Sequence, residues 1–311
     1  MGEDNIELTR DLREGTYLIS LYITKGTQFD PDQDIPDLTG KVILVTGANS
    51  GIGQGTILQL AKHNPAQIFL AARSEAKAQE AITELEKISD MQSIDIIPSV
   101  GFIFIPELDL LINNTSIMAT PTGQTEEGYE IQFGNNHIGH ALLTRLLLPT
   151  LKYTATIAPD VRVVFLSSSL HSSAPKEGYF LDDRLKTPMP DISTWTLYGQ
   201  SKLANIHYCR ALAQRHPEIK FVSIHPGLVK TNLGPEFMSG FNFVVSAALK
   251  FVMRFTTVNV REGAFNSLWA ATSLAAESGA FYYPVGITGK DEKLREQLWE
   301  YTEMELQPHL D

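Results

Sequence analysis

The residues best suited to proton transfer are Tyr198 and Lys202, which lie four positions apart in the sequence Y-G-Q-S-K. Residues i and i+4 share one face of an α-helix, so this phenol and this ammonium group would be neighbours. A free phenol, with a pKa of about 10, transfers protons poorly near neutral pH, but an adjacent ammonium favours the phenolate and lowers that pKa. The pair predicts an acid–base tyrosine activated by Lys202. The alternative is an exposed helix pair without a chemical role.

A glycine-rich turn supplies the second chemical feature. Residues 42–53 read V-I-L-V-T-G-A-N-S-G-I-G, and the apolar run at their start predicts a buried strand of a parallel sheet. Gly47, Gly51 and Gly53 carry no Cβ, so backbone N–H groups and the positive end of the next helix can approach a pair of phosphates. A dinucleotide cradle is the favoured interpretation, and a glycine-rich turn that holds no ligand is the alternative.

The end of the second predicted strand indicates which dinucleotide would bind. A helix to about residue 63 and a strand over residues 67–71 complete a β-α-β unit. Where Asp or Glu would bind a ribose 2′-hydroxyl, the chain has Ala72-Arg73, with Lys77 one helical turn later. A guanidinium suits a 2′-phosphate, so this position predicts NADP(H) rather than NAD(H). The alternative is that Arg73 is a solvated residue at a strand end.

Further polar residues follow the later predicted strands in order. They are Asn113-Asn114, Asn136-His137, Ser168 and the strand break His225-Pro226-Gly227. With T-G-x-x-x-G-I-G and Y-x-x-x-K, they make residues 35–306 resemble the short-chain dehydrogenase/reductase family. The resemblance is strongest to its retinol-dehydrogenase-like and related fungal members.

The resemblance implies a role for each matching residue. Tyr198 would transfer the proton, Ser168 would hydrogen-bond the substrate carbonyl, Lys202 would hold the nicotinamide ribose, and Asn136 would fix a proton-relay water. The implied cofactor contacts are Gly47, Ser50, Gly51, Ile52, Gly53, Arg73, Lys77, Asn114, Tyr198, Lys202, Val229 and Thr231. The implied function is an NADP(H)-dependent oxidoreductase that interconverts an apolar ketone or aldehyde and its alcohol by hydride transfer.

Composition excludes several other classes of protein. The formal charge of −11, from 25 Lys and Arg against 36 Asp and Glu, argues against a nucleic-acid partner. Cys209 is the one cysteine, so no internal disulfide can form, and the eight His lack the spacing of metal ligands. The acidic start of the chain does not resemble a signal peptide, so we predict a cytoplasmic location.

The alternation of apolar strands with helical segments predicts a single domain of α/β class, a Rossmann-like doubly wound parallel sheet. This domain would span residues 35–311, after an N-terminal extension and linker at residues 1–34. Further predicted helices cover residues 74–88, 126–148, 198–215, 262–272 and 292–306. Further predicted strands cover residues 108–114, 161–167, 220–225 and 281–286.

The segment between the third and fourth strands breaks this pattern. Residues 98–107 are too short, and too interrupted by Pro and Gly, to hold the expected crossover helix. Either residues 100–105 form a strand, or the link crosses the sheet in extended form. Thr115-Ser116 also replaces the family's Ala-Gly, and the family's Asp after the third strand has no match. We therefore expect an exposed apolar strip on the outer strands and a loosely held adenine end.

The most apolar stretch, residues 241–255, is too short to span a bilayer and contains Lys250 and Arg254. We interpret it as part of a substrate lid near residues 233–262; a helix lying on a membrane surface is the alternative. Two helices, at residues 126–148 and 198–215, would form a two-fold homodimer. The rival to an active enzyme is a catalytically weak or inactive scaffold protein of the same fold.

Overall fold

The computed structural model describes residues 27–88, 95–99, 105–227, 229, 258–289 and 295–310. The N-terminal extension up to residue 26, most of the predicted lid and Thr231 lie outside the described residues.

A single sheet organises the described chain. Its eight strands lie in the order β3-β2-β1-β4-β5-β6-β7-β8. Neighbours from β3 to β7 are parallel, and β8 pairs with β7 in the antiparallel sense. The strands are β1 Val42–Thr46, β2 Gln67–Ala71, β3 Asp95–Ser99, β4 Leu110–Asn113, β5 Arg162–Leu166, β6 Lys220–Ile224, β7 Phe281–Tyr283 and β8 Ile287–Gly289. The predicted parallel sheet is confirmed, whereas the strand predicted at residues 281–286 ends at Tyr283: residues 284–286 form a turn, and β8 follows it. Gly286, with a φ of +68°, lies in that turn.

Helices connect the strands and cover both faces of the sheet. They are α1 Pro31–Asp34, α2 Gly51–Leu60, α3 Glu75–Ile88, α4 Ile131–Phe133, α5 Gly139–Ile157, α6 Thr194–Arg215, α7 Val260–Gly263, α8 Phe265–Thr272 and α9 Arg295–Leu306. A π-helical turn, Gly134–Ile138, joins α4 to α5. Short 3₁₀ turns lie at Ala61–His63, Ser169–Ser173, Asp183–Lys186 and Gln307–His309.

Capping side chains set helix starts that the sequence pattern placed elsewhere. The helix predicted at residues 126–148 begins at Ile131, because the Glu130 carboxylate accepts hydrogen bonds from the N–H groups of Gln132 and Phe133. It continues past Pro149 to Ile157. The helix predicted from residue 198 begins at Thr194, where the Ser193 hydroxyl provides the cap.

The start of the described chain packs against the sheet domain. The predicted linker contains α1, which is capped by the Asp30 side chain, and Ile35 is buried in the core. Contacts begin still earlier, since the Thr27 N–H donates to the Val285 carbonyl at 2.9 Å.

Alternate residues of each strand face opposite sides of the sheet, and each side has its own apolar cluster. On one side Ile43 and Val45 pack with Ile57, Leu60 and Leu268 of α2 and α8. On the other side Leu44 and Leu111 pack with Phe133, Leu151, Leu203 and Leu298 from the helices of residues 131–157, α6 and α9. A sheet covered on both faces is the doubly wound arrangement.

The link from β3 to β4 lacks the usual crossover helix in its described part. Residues 105–109 form no helix, and residues 100–104 lie outside the described chain. At about 3.3–3.6 Å per residue, an extended link can pass the two intervening strands, which are spaced about 4.8 Å apart. The predicted exposed apolar strip is wrong at β2, where Phe69 is only 4% exposed. Ile105 and Leu108 from the link belong to the same buried cluster as Phe69.

Arg162, at the start of β5, is buried with an exposure of 1%. Its guanidinium donates to the carbonyls of Ala270 and Ser273 at the end of α8, at 3.0 and 2.8 Å, and pairs with Asp160. Burial alone would raise the pKa of Asp160, but the hydrogen bond and charge of Arg162 lower it below the ordinary value.

We expect Arg162→Met to lower the free energy of unfolding by about 3 kcal/mol or more, because two helix-terminal carbonyls and one carboxylate lose their donor. Asp160→Asn, the matched control, should cost less, since Arg162 keeps both carbonyls. Because the folded pKa of Asp160 is depressed, its contribution is present above the unfolded pKa of about 3.9 and is lost as pH falls through the folded value. Urea unfolding at several pH values measures both effects. Equal losses in the two variants would show that only the ion pair matters.

Candidate active site

The carboxyl ends of the central parallel strands gather most of the predicted site residues. The glycine loop follows β1, Asn114 follows β4, Ser168 follows β5, and Tyr198 and Lys202 lie on α6. Such an edge is where open α/β sheets bind ligands.

Two glycines of the loop occupy positions that no other residue could fill without displacement. A Cβ at Gly47, whose φ is +62°, would lie 2.7 Å from Thr115 Oγ1. A Cβ at Gly53 would lie 2.6 Å from Asn114 Nδ2 and 2.7 Å from the Gly47 carbonyl oxygen. The chain folds back tightly here, which brings the start of α2 to the sheet edge.

The start of α2 fits a phosphate group. Its N-cap residue, Ser50, makes no side-chain capping hydrogen bond, so the first N–H groups of the helix are not satisfied by that side chain. Those N–H groups and the positive end of the helix dipole suit an anion. Gly51, Ile52 and Gly53 lie in this first turn, as predicted.

The loop is tied to the strand end that precedes Arg73. The Gly47 N–H donates to the Ala71 carbonyl at 2.8 Å. Arg73 follows two positions later and is exposed, as is Lys77 on α3. Both cations are therefore available to solvent beside the loop, and their contact with a 2′-phosphate stays a prediction.

Tyr198 and Ser168 meet as the sequence predicts, and a second serine joins them. The Tyr198 hydroxyl hydrogen-bonds with the side chains of both Ser168 and Ser116. The Lys202 ammonium lies 5.7 Å from the centroid of the Tyr198 ring and donates to the Leu166 carbonyl at 3.0 Å. Tyr198 thus has two serine hydroxyls as hydrogen-bond partners and one ammonium group near its ring.

Burial has the largest effect on the pKa values of Tyr198 and Lys202. It raises the pKa of Tyr198 to about 12, with the bonds to Ser168 and Ser116 opposing the rise. It also lowers the pKa of Lys202 to about 7. The prediction that Lys202 holds the pKa of Tyr198 below its ordinary value is therefore wrong for this structure, because desolvation has the largest effect on that pKa.

Asn136 lies in the π-helical turn and is fully buried. Its amide group donates to the Ile117 carbonyl at 2.9 Å and to Ser201 Oγ at 3.0 Å, and its Oδ1 accepts from the Ile117 N–H at 2.9 Å. Its main-chain carbonyl accepts from Asn205 Nδ2 at 3.0 Å. Asn136 therefore joins the loop after β4 to α6, and its role with a relay water stays a prediction.

Two histidines beneath the site are held neutral. His140 lies between Thr46 Oγ1, at 3.0 Å, and the Asn136 carbonyl, at 3.2 Å. His137 contacts Asn205 Oδ1 and Thr302 Oγ1 at 3.3 and 3.0 Å. Burial lowers the pKa of His140 to about 3 and that of His137 to about 4, so neither carries charge near neutral pH.

The structure adds residues to which the sequence analysis gave no catalytic or cofactor contact. These are Thr46, Ser116, His140, Ser201 and Asn205. Ser201 and Asn205 could have been found, since they follow Tyr198 at spacings that keep to one side of α6. Ser116 had no such signal, because it stands in an irregular loop.

Two further predicted cofactor contacts, Val229 and Thr231, follow β6 in the sequence. Val229 is half-buried and forms an isolated parallel bridge with Val258, and Thr231 is outside the described residues. Among the described residues, no cluster of His, Cys, Asp or Glu could hold a metal ion. Nor is any helix in the described ranges both long and apolar enough to cross a membrane.

Comparison with known proteins agrees with this geometry. The family model for short chain dehydrogenases matches residues 41–177. The chain is 37% identical over 295 residues to an uncharacterized oxidoreductase of Schizosaccharomyces pombe, covering 86% of each protein. It is 33% identical over 306 residues to retinol dehydrogenase 14 of Homo sapiens, covering 85% of this chain and 86% of that protein. A crystal structure of an uncharacterized protein from Mycobacterium paratuberculosis has a TM-score of 0.67 and 26% identity, covering 90% of this chain and 98% of the other.

The fold and the site define a Rossmann-like oxidoreductase. The chain belongs to the short-chain dehydrogenase/reductase family.

Gly199 lets α6 approach the turn that follows Ser168. A Cβ at this position would lie 2.7 Å from the Ala174 nitrogen and 2.8 Å from the Leu170 carbonyl oxygen. Both neighbours are backbone atoms, so a side chain at position 199 must push the turn away from the helix.

We expect Gly199→Ala to lower the free energy of unfolding by about 1–3 kcal/mol through overpacking. It should also reduce turnover, because the contact between Ser168 and Tyr198 would lengthen. Gly139→Ala is the matched control, since its Cβ would lie at an ordinary 3.5 Å from the Gly134 carbonyl oxygen. Thermal unfolding and initial rates measure the two effects. Indistinguishable behaviour of the two variants would show that the turn adapts freely.

Proposed function

We propose that the protein is an NADP(H)-dependent oxidoreductase that interconverts an apolar ketone or aldehyde and its alcohol, with Tyr198 as the acid and base. The observation that carries the proposal is the shared hydrogen bonding of the Ser168 and Tyr198 hydroxyls, with Lys202 beside them, next to the glycine loop. Two hydroxyls that meet at one point can both donate to a single substrate oxygen.

The cofactor would be held by residues that fit it. The tight loop through Gly47 and Gly53 and the start of α2 would receive the pyrophosphate, and Lys202 would reach the nicotinamide ribose. When bound, the nicotinamide supplies or accepts the hydride that the reaction requires.

The protein side chains would manage the proton. During reduction, the Tyr198 O–H bond breaks and a new O–H bond forms on the substrate oxygen, which Ser168 keeps in place. During oxidation, the Tyr198 phenolate takes the proton from the alcohol. In its charged form, Lys202, whose Nζ lies 5.7 Å from the centroid of the Tyr198 ring, would favour the phenolate that either direction passes through.

The substrate class is inferred from a relative and from composition. One relative is a retinol dehydrogenase, whose name denotes an apolar alcohol as its substrate. The apolar residues 241–255, which lie outside the described chain, are consistent in composition with a cover over such a substrate. These observations support an apolar carbonyl or alcohol.

The rival proposal is a catalytically weak or inactive scaffold of the same fold. It is favoured by the link before β4, where residues 105–109 form no helix. Titration of intrinsic fluorescence with NADPH distinguishes the two, because an enzyme must bind the cofactor saturably.

We expect Tyr198→Phe to keep the fold and the affinity for NADPH while turnover falls by a factor of about 10² or more, as for the loss of a general acid. Tyr153→Phe is the matched control, since Tyr153 is 55% exposed on α5. Steady-state rates and cofactor titrations measure the two properties. Near-full turnover in Tyr198→Phe would refute the assignment.

Arg73→Ala should weaken NADPH binding about tenfold or more, because a charge-assisted contact with the 2′-phosphate contributes roughly 1.5–3 kcal/mol. NADH lacks that phosphate, so its affinity should stay unchanged. Arg184→Ala, at another exposed arginine, is the control. Dissociation constants for both cofactors decide the matter, and equal losses for NADPH and NADH would place Arg73 outside the phosphate pocket.

A further inference from the structure

Ser116 occupies an unusual position in the site. It belongs to the loop after β4, and its hydroxyl hydrogen-bonds with the Tyr198 hydroxyl. Its Oγ also lies 3.3 Å from Asn136 Oδ1 and 3.4 Å from the Ile117 carbonyl oxygen. This serine therefore contacts both the proposed proton donor and the buried amide that supports it.

We propose that Ser116 is a further catalytic residue, whose hydroxyl donates a hydrogen bond to the Tyr198 phenolate left after proton transfer to the substrate. The inference rests on the proposed function and adds a residue to it.

The chemistry follows from the single proton of a serine hydroxyl. While Tyr198 is a phenol, it can donate to Ser116, and Ser116 can donate to Asn136 Oδ1. Once the Tyr198 proton has formed the new O–H bond of the alcohol product, the phenolate oxygen only accepts. Ser116 can then rotate its proton from Asn136 to Tyr198. In the reverse reaction the same proton returns to Asn136 as the phenolate takes the alcohol proton.

Asn136 Oδ1 keeps a hydrogen-bond donor when Ser116 turns its proton toward Tyr198. Asn136 Oδ1 keeps the hydrogen bond from the Ile117 N–H at 2.9 Å, which is shorter than the 3.3 Å contact from Ser116. A buried acceptor that retains one good donor avoids the cost of an unsatisfied group. Ser168 would be engaged by the substrate oxygen at this stage, so Ser116 is the hydroxyl that remains for the phenolate.

The ionisable groups around Tyr198 come from several elements. Lys202 lies on the same helix, His140 on α5, His171 in the turn after β5 and His225 after β6. Burial lowers the pKa of both His140 and His225 to about 3, so they stay neutral. His171 faces the Ser168 carbonyl with its Nδ1 at 2.7 Å. Burial lowers the pKa of Lys202 to about 7, so the charge of Lys202 changes within the pH range of the kinetic measurements described next.

The test compares Ser116→Ala, Ser116→Thr and Ser116→Cys with the wild-type enzyme and with Ser172→Ala. Ser172 is an exposed serine whose hydroxyl donates to the Ser169 carbonyl. For each protein, kcat/KM is measured against pH in both directions, with NADP for alcohol oxidation and NADPH for carbonyl reduction. Cofactor dissociation constants and melting temperatures are measured on the same samples.

Loss of one donor to the phenolate should raise the pKa of Tyr198 by about one unit. In Ser116→Ala, the increase of kcat/KM for alcohol oxidation with pH should therefore occur about one pH unit higher than in the wild-type enzyme. At neutral pH this shift reduces kcat/KM for oxidation about tenfold. Carbonyl reduction needs Tyr198 as the phenol, so the decrease of kcat/KM for reduction should occur at a higher pH than in the wild-type enzyme. Ser116→Thr should restore the wild-type profile, and Ser116→Cys, with its weaker donor, should lie between them. The part of each pH profile that reflects titration of Lys202 should stay where it is in the wild-type enzyme. The cofactor dissociation constants should also stay unchanged, and Ser172→Ala should have the wild-type pH profile.

Two results would overturn the inference while leaving the proposed function intact. One is an active wild-type enzyme whose pH profiles are the same in Ser116→Ala. The other is an equal loss in both directions at every pH with a lower melting temperature, which indicates a structural role. If the wild-type protein turns over no carbonyl or alcohol, the proposed function itself fails, and the inference about Ser116 falls with it.

Discussion

The buried amide of Asn136 is the interaction on which the site depends. The side chain makes two hydrogen bonds with the Ile117 backbone and one with Ser201. The main-chain carbonyl of Asn136 accepts a further hydrogen bond from the Asn205 side chain. These partners belong to the loop after β4 and to α6, which are distant in sequence. A buried polar group is costly unless all its bonds are made, so each of these elements fixes the position of the other. The π-helical turn supplies the local backbone geometry for this exchange, as such turns do at many functional sites.

The same burial that secures the network sets its electrostatics. Tyr198 is 6% exposed and Lys202 is 2% exposed. Desolvation moves their pKa values apart, raising that of Tyr198 to about 12 and lowering that of Lys202 to about 7. Both shifts favour the neutral forms. Any group that restores charge to this pair must therefore act through hydrogen bonds or opposite charge at close range. The serines at positions 116 and 168 already oppose the rise at Tyr198, and anionic phosphates would favour the charged form of Lys202.

The sequence predicted the elements whose signals are local. The strand at residues 67–71 and the glycine turn were recognisable from apolar runs next to residues of special conformation, and Tyr198 and Lys202 from helical spacing. It could not predict the start of the long helix, because the capping role of Glu130 competes with a charged stretch that suits a helix. β8 is too short to show any periodicity. Ser116 reaches Tyr198 through tertiary folding alone, and the net pKa of Tyr198 depends on a burial that sequence spacing does not measure.

The hydrogen bonds that hold the proposed catalytic group can be followed from β1 to Asn136. Thr46 Oγ1 accepts from the N–H groups of Asn114 and Thr115 at 2.9 and 3.0 Å and contacts His140, which in turn reaches Asn136. These bonds join the end of β1 to the loop after β4 and to Asn136, and none of them involves β3 or residues 105–109. Ile105 and Leu108 keep the sheet face buried, so the absence of a helix at residues 105–109 does not leave Phe69 open to water. We therefore expect a change in the link to alter cofactor affinity while these hydrogen bonds persist.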